Sequence, residues 1–159
     1  MDKLNRKILR ALQTNARKTN IELARKFNVA PSTMLERIRQ LEKRGIVRGY
    51  RAIIDPKALG LNIQGFVSVT LDRHDVDCIR KFEKGVQKIL FVRACSHVTG
   101  RFDYLLHVDA HGLSHLRELV KEKIASIKGI GKVETFLVFS EVKSEEGWPI
   151  EESDEISSG

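Results

Sequence analysis

Apolar residues recur at helical spacing over the first sixty positions and in alternation over the next eighty, so the chain changes period near residue 60. Leu4, Ile8, Leu9, Leu12 and Ala16 mark one face of a first helix. Thr19-Asn20-Ile21-Glu22 fits a capping box, in which the Thr hydroxyl accepts from an orphan N–H and Glu22 reaches back to the Thr amide. A short second helix therefore runs from Asn20 to about Phe27, with Ile21, Ala24 and Phe27 expected inside. Three residues, Asn28-Val29-Ala30, precede Pro31, and proline suits the first helical position because that N–H would be unpaired anyway. The third helix runs to Arg44 and stops at Gly45, with Met34, Leu35, Ile38, Leu41 and the stem of Glu42 on one side. Two short helices joined by a three-residue turn, behind a supporting helix, predict a helix-turn-helix. The β-prone stretch Ile46 to Ile54 reads as a wing or as the strand leading out, and Asp55-Pro56 closes it.

From Ile63 to Leu71 the alternation is that of a strand. Val76, Ile79, Phe82, Val86 and Ile89 then predict a helix, and Val92, Ala94, Ser96 and Val98 one side of a second strand. Gly100-Arg101 reads as a two-residue hairpin into a third strand carrying Phe102, Tyr104, Leu106 and Val108. Leu113, Leu116, Val120, Ile124 and Ile127 predict another helix, and Val133, Thr135, Leu137 and Phe139 a last strand. The order β-α-β-β-α-β is ferredoxin-like. The fold class is α+β: a helix-turn-helix domain at 1–50, a linker at 51–62, a ferredoxin-like domain at 63–143 and a tail at 144–159. Such a sheet leaves one face bare, and apolar residues on both sides of several strands predict sheet-to-sheet pairing into a homodimer. A dimer would present two recognition helices to two half-sites about 34 Å apart.

Charge sharpens this picture. Net charge is +7, and residues 1–60 hold 15 basic and 5 acidic side chains, a balance that attracts a phosphate backbone. On the outward side of the third helix stand Ser32, Thr33, Glu36, Gln40 and Lys43, flanked by Arg37, Arg39 and Arg44. Arg can pair with guanine, Gln with adenine, and Glu can accept from cytosine. Ser32, Thr33, Glu36, Arg37 and Gln40 are therefore the expected groove readers, and Lys43 and Arg44 the phosphate contacts. The polar outer face of any surface helix is the plainer alternative. No apolar run reaches the roughly 18 residues of a membrane span, and the charged first residues do not resemble a signal peptide; a cytoplasmic protein with no membrane partner is expected. Cys78 and Cys95 stand among apolar neighbours and are expected to be buried, reduced thiols.

Several motifs in order resemble the Lrp/AsnC (feast/famine) family of transcriptional regulators, over residues 2 to about 143. They are Ile8-Leu9-Arg10-Ala11-Leu12-Gln13, Glu22-Leu23-Ala24, the run from Arg37 to Tyr50, Leu59-Gly60, Val98-Thr99-Gly100-Arg101-Phe102-Asp103-Tyr104 and Val142-Lys143. The resemblance implies a winged helix-turn-helix joined to a ferredoxin-like effector domain. It also implies dimers that assemble further, commonly to octamers, and modulation by a small molecule, typically an amino acid. Carried over, Gly100 allows close backbone approach and Asp103 pairs with an ammonium group, with Leu113 and Thr135 near the same pocket. Two departures stand out. Ala30 replaces the serine that caps the recognition helix in many relatives, and Thr33 to Glu36 offers a substitute capping box that would start the helix later. Arg101 stands where some relatives are acidic, and a cation there would lower the pKa of Asp103 while competing for it.

An enzyme is the rival class. His97, His107, His111 and His115 fall within nineteen residues, and siroheme decarboxylase subunits share a similar two-domain plan. No Cys pair or carboxylate stands near them at ligand spacing, so neither a metal nor a cofactor is expected. A stand-alone amino-acid sensor is disfavoured by the basic first third. Residues 144–159 carry six acidic side chains and read as a disordered, solubilising tail, with screening of the basic domain from non-specific DNA as the second reading.

Overall fold

The computed structural model describes residues 1–144 and 147–151 and divides into two compact units. The first comprises residues 1–53 together with the C-terminal segment from Lys143; the second runs from Ile54 to Val142.

Three helices build the first unit: α1 (Lys3–Thr14), α2 (Asn20–Phe27) and α3 (Pro31–Lys43). Asp2 caps α1 by accepting from Asn5 N. The expected capping box of α2 is complete, with the Thr19 side chain accepting from Glu22 N and Glu22 accepting from Thr19 N. Asn28 turns the chain in a left-handed conformation, φ 53°, a conformation that Asn tolerates better than most residues. Val29 N then closes the turn on Ala24 O.

Ile8, Ala11, Leu12, Leu23, Ala24, Met34, Ile38 and Leu41 form the core of this unit. Here four expectations change. Leu23, not Ile21, is the inward residue of α2; Ile21 is 61% exposed. An eight-residue helix makes barely two turns, and its apolar spacing fits either phase. Ala16 lies beyond the end of α1, and Leu35 is only half-buried. Finally, α3 starts at Pro31 with Ala30 as an N-cap that makes no side-chain bond, so the later start at Thr33 does not occur. Proline supplies the start by fixing φ, and leaves the cap vacant. Gly45 ends α3 at φ +67°, where a side chain would be strained. Residues 46–54 form no strand; Ile46 N and Val47 N instead bond back to Leu41 O.

The second unit begins with a 3₁₀ turn (Pro56–Leu59) and continues as β1 (Ile63–Leu71), α4 (Val76–Val86), β2 (Val92–His97), β3 (Tyr104–Ala110), α5 (Leu113–Glu118) and β4 (Ile130–Leu137). All pairings are antiparallel, in the spatial order β2-β3-β1-β4, the ferredoxin-like arrangement expected. Val67, Val69 and Leu71 of β1 and Tyr104, Leu106, Val108 and Ala110 of β3 pack with Phe82, Val86, Leu116, Leu119 and Ile124 on one face. Past Glu118 the helix widens into a π turn (Leu119–Ile124), closed by Ala125 N to Val120 O. The wider turn brings Leu119 and Ile124, five apart, to the buried side, and Val120 is left half-buried.

The β2–β3 connection is a six-residue loop, 98–103, rather than a two-residue hairpin, with Val98 N bonded to Asp103 O. Phe139 lies beyond the end of β4 and is fully exposed. Cys78 is buried as expected, but Cys95 is exposed because β2 is an edge strand; both are free thiols. The acidic residues at 145–146 and 152–159 lie outside the described residues.

Two substitutions test the first unit. Leu23→Ala should cost about 2–5 kcal/mol in urea denaturation, as buried leucines do, while Ile21→Ala should stay within about 0.5 kcal/mol. Equal costs would mean that α2 has the other phase. Ala30→Ser adds the absent cap to an already extended residue, φ −63°, ψ 141°, and should stabilise by about 1 kcal/mol. A melting temperature unchanged by it would show that those N–H groups are already satisfied.

Candidate DNA-binding face and effector site

Burial of Met34, Ile38 and Leu41 turns the opposite side of α3 outward. Ser32, Thr33, Glu36, Gln40, Lys43 and Arg44 are all exposed, as is Arg39. Glu36 and Gln40 are joined, Gln40 Nε2 donating to Glu36 Oε1 at 2.7 Å, so one acceptor and one donor are already used in presenting the pair.

Arg37 departs from this row. Its guanidinium is held by the Asp2 carboxylate and donates to Asn5 Oδ1 at 3.0 Å, both at the start of α1. At 100° per residue Arg37 falls nearer the Met34–Leu41 row than the Glu36–Gln40 row, which accounts for its turning toward α1. The Arg37 bond and the Asn5 amide hold the Asp2 carboxyl below its ordinary value. Sequence reasoning missed this tie, and also the bond from Tyr50 Oη to Glu42 Oε1 at 2.9 Å. Burial and that bond push the Tyr50 phenol up to about 12.

In the second unit, Asp103 anchors the 98–103 loop to the end of β1. Its Oδ2 accepts from Leu71 N at 2.7 Å, its Oδ1 meets His74 Nε2 at 2.9 Å, and its own N–H donates to Val69 O. The Leu71 amide, more than any cation, holds the carboxyl below its ordinary value, with His74 adding to it. The shift expected from Arg101 thus comes from other groups. Gly100 lies at φ +137° with open space where a side chain would stand. Leu113 opens α5 and is 62% exposed; Thr135 is exposed on β4 opposite Val67. Asp103 immediately precedes β3 and Leu113 comes three residues after its last residue, Ala110, so the two stand at opposite ends of a strand whose seven residues, at about 3.4 Å each, span roughly 20 Å.

The other face of the sheet carries Phe66 and Phe136, paired across β1 and β4 and both exposed. It also carries a charged group that periodicity did not reveal. Asp109, 4% exposed, is paired with Arg93 Nε at 2.8 Å, and Arg93 also meets His107 Nδ1 at 3.2 Å. His107 stacks on Phe66 with its pKa lowered by burial and by Arg93, so it is neutral near pH 7. The four clustered histidines separate into three stacks: His97 on Tyr104, His107 on Phe66, and His111 with His115 beside Phe91. Among the described residues no three His, Cys, Asp or Glu side chains are grouped to hold a metal, and no helix is long and apolar enough to cross a membrane.

Two family descriptions match the chain in series, a winged helix-turn-helix DNA-binding domain over residues 1–48 and an Lrp/AsnC ligand binding domain over 64–148. The leucine-responsive regulatory protein of Escherichia coli K12 is 36% identical over 143 residues, 90% of this chain and 87% of that protein. A transcriptional regulator of Neisseria meningitidis, solved in complex with L-Met, matches with a TM-score of 0.87 at 35% identity, over 91% of this chain and 93% of that one. AsnC of Escherichia coli matches with a TM-score of 0.84 at 28% identity, over 91% and 95%. An exposed, hydrogen-bonding face on α3, a four-stranded ferredoxin-like unit and these matches along nine-tenths of the chain place the protein in the Lrp/AsnC family of transcriptional regulators.

Proposed function

We propose that this regulator reads duplex DNA with α3 and that an amino acid binding at its sheet domain modulates the reading. The observation that carries the first half is the exposed row Ser32, Thr33, Glu36 and Gln40, continued by Lys43 and Arg44 and backed by a buried core. The L-Met complex of the Neisseria relative supports the second half. Ser32, Thr33, Glu36 and Gln40 contact base edges, and Lys43 and Arg44 hold phosphates. Arg37 would have to leave Asp2 and Asn5 to reach a base, so its contribution is to brace α3 against α1.

For the effector, Asp103 receives the ammonium group at Oδ1, displacing His74 while Leu71 N keeps Oδ2. Gly100 leaves the loop backbone open to the ligand's carboxylate. Because Asp103 and Leu113 stand at opposite ends of β3, a pocket that includes Leu113 and Thr135 draws on more than one copy of the chain. The bare sheet face around Phe66 and Phe136 is the surface for pairing into a dimer, with further assembly bringing loops of neighbouring dimers together.

The decisive experiment is fluorescence anisotropy on the DNA upstream of the protein's own gene, with excess random competitor and with and without a mixture of the twenty amino acids. Gln40→Ala and Glu36→Ala should each cost about 1–3 kcal/mol on the preferred sequence and little on random duplex. Lys43→Ala should weaken all sequences alike and lower the salt slope by about one. Arg37→Ala and Asp2→Ala should weaken all sequences together and destabilise the unit by less than about 1 kcal/mol, the pair being half exposed. A loss confined to one base position in Arg37→Ala would instead make Arg37 a reader.

Asp103→Asn should abolish any amino-acid response, whereas His74→Ala, which frees Oδ1, should strengthen it. Asp103 also carries a pH signature. Its folded pKa is depressed, so its stabilisation is present above the ordinary value near 3.8 and lost as pH falls through the lower folded value. Acid unfolding of Asp103→Asn should lose that part of the pH dependence; an unchanged acid titration would mean that the Leu71 bond does not persist in solution.

A further inference from the structure

Gln40 stands near the C-terminal end of α3, yet its amide is drawn back one turn: Nε2 donates to Glu36 Oε1 at 2.7 Å. Base edges are met mainly by the N-terminal part of a recognition helix, so this bond carries Gln40 toward the reading end. A carboxylate can only accept, and the amide is therefore fixed with its nitrogen toward Glu36. Gln40 keeps Oε1 and one N–H for a ligand, and Glu36 keeps Oε2. Both side chains are exposed, and among the described residues Glu36 makes no ion pair. The two residues thus present one joined surface of two acceptors and a donor.

In the major groove adenine alone shows a donor and an acceptor on one base, N6–H and N7, which complement Gln40 Oε1 and its free N–H. Glu36 Oε2 accepts from an exocyclic amino group, cytosine N4 or adenine N6. It has nothing to donate to guanine N7 and O6 or to thymine O4, and a carboxylate set against those acceptors loses its water without gaining a partner. The two head groups are 2.7 Å apart and stacked base pairs about 3.4 Å apart, so the joined pair spans neighbouring base pairs and no more. Each side chain is also restrained before DNA arrives, which lowers the rotamer entropy lost on binding.

We propose that Glu36 and Gln40 read two adjoining base pairs as one unit, adenine under Gln40 and an amino-bearing base, cytosine or adenine, under Glu36. The proposal rests on the DNA-binding reading above and deepens it by naming the bases and by coupling the two readers. Glu36 holds Gln40 over its adenine, and Gln40 holds Glu36 over the neighbour. Loss of either side chain therefore relaxes both positions, whereas independent readers would lose one position each.

The test is selection from a randomised duplex library by the full chain and by its Gln40→Ala and Glu36→Gln variants, followed by fluorescence anisotropy on the selected sites. Alanine and glutamine are good helix formers at these exposed positions, so the variants keep their fold. The full chain should select adenine beside cytosine or adenine, and the wrong base at either position should weaken binding about 5- to 150-fold. Gln40→Ala should lose the preference at both positions. Glu36→Gln, which adds a donor, should admit guanine or thymine at the adjoining position and keep the adenine. Replacing that adenine by 7-deazaadenine, which lacks N7 but pairs normally, should weaken the full chain several-fold and leave Gln40→Ala unchanged. Relaxation of one position alone in Gln40→Ala would overturn the coupling. Guanine or thymine selected under Glu36 by the full chain, or indifference to 7-deazaadenine, would overturn the base assignment. A sequence preference untouched by both variants would overturn readout by this pair while the DNA-binding reading stands. No enrichment by the full chain would overturn that reading and the proposal together.

Discussion

The first unit depends on a single constraint: three residues of α3, Met34, Ile38 and Leu41, have nowhere to be buried except between α1 and α2. Their spacing of four and three residues fixes the rotation of the helix about its own axis. Once that rotation is set, the row from Ser32 to Lys43 faces solvent. The tie from Arg37 to Asp2 and Asn5 adds a polar brace at the edge of the same packing. The face proposed to meet DNA is thus a by-product of core packing, and changes in the core reach it without altering any residue of that row.

The second unit solves a different problem, because a four-stranded sheet with helices on one face has a second face to dispose of. Here that face is neither fully apolar nor fully polar. Phe66 and Phe136 are exposed side by side, while Asp109 is almost completely buried against Arg93. Arg93 itself is half exposed, so its loss would leave Asp109 as a buried, uncompensated charge, whereas the loss of Asp109 would leave only a solvated cation. His107, kept neutral by burial and by Arg93, ties this charged group to Phe66 through their stack.

How much of this was legible in the sequence depended on how local the determining interaction is. The α2 start was readable because Thr19 and Glu22 are three apart and bond only each other's backbone and side chain. The strands were readable because the alternation is set within each strand. What escaped was non-local or sat below the resolution of a short element. Arg37 stands on the polar flank of α3 by count, yet its partner Asp2 is 35 residues away. The phase of α2 could not be chosen between Ile21 and Leu23 from two turns of helix. A carboxylate in a strand, such as Asp109, reads as solvent-facing until Arg93 is seen on the neighbouring strand. The π turn in α5 moved the buried register from Val120 to Leu119, a shift that a fixed period of 3.6 cannot express. The effector residues were named by resemblance; what the fold adds is that Asp103 is already engaged twice.

One unit holds both ends of the chain, residues 1–53 and the segment from Lys143 onward. During synthesis, therefore, its three helices, the last ending at Lys43, emerge roughly 100 residues before Trp148 and Ile150, which bond to Gln13 and Arg10 of α1. At about 5–20 residues per second that interval lasts several seconds or more. Until Trp148 and Ile150 have been made, the helical unit lacks the bonds that Gln13 and Arg10 make to them. The domain made first is in this sense shaped in part by residues made long after it.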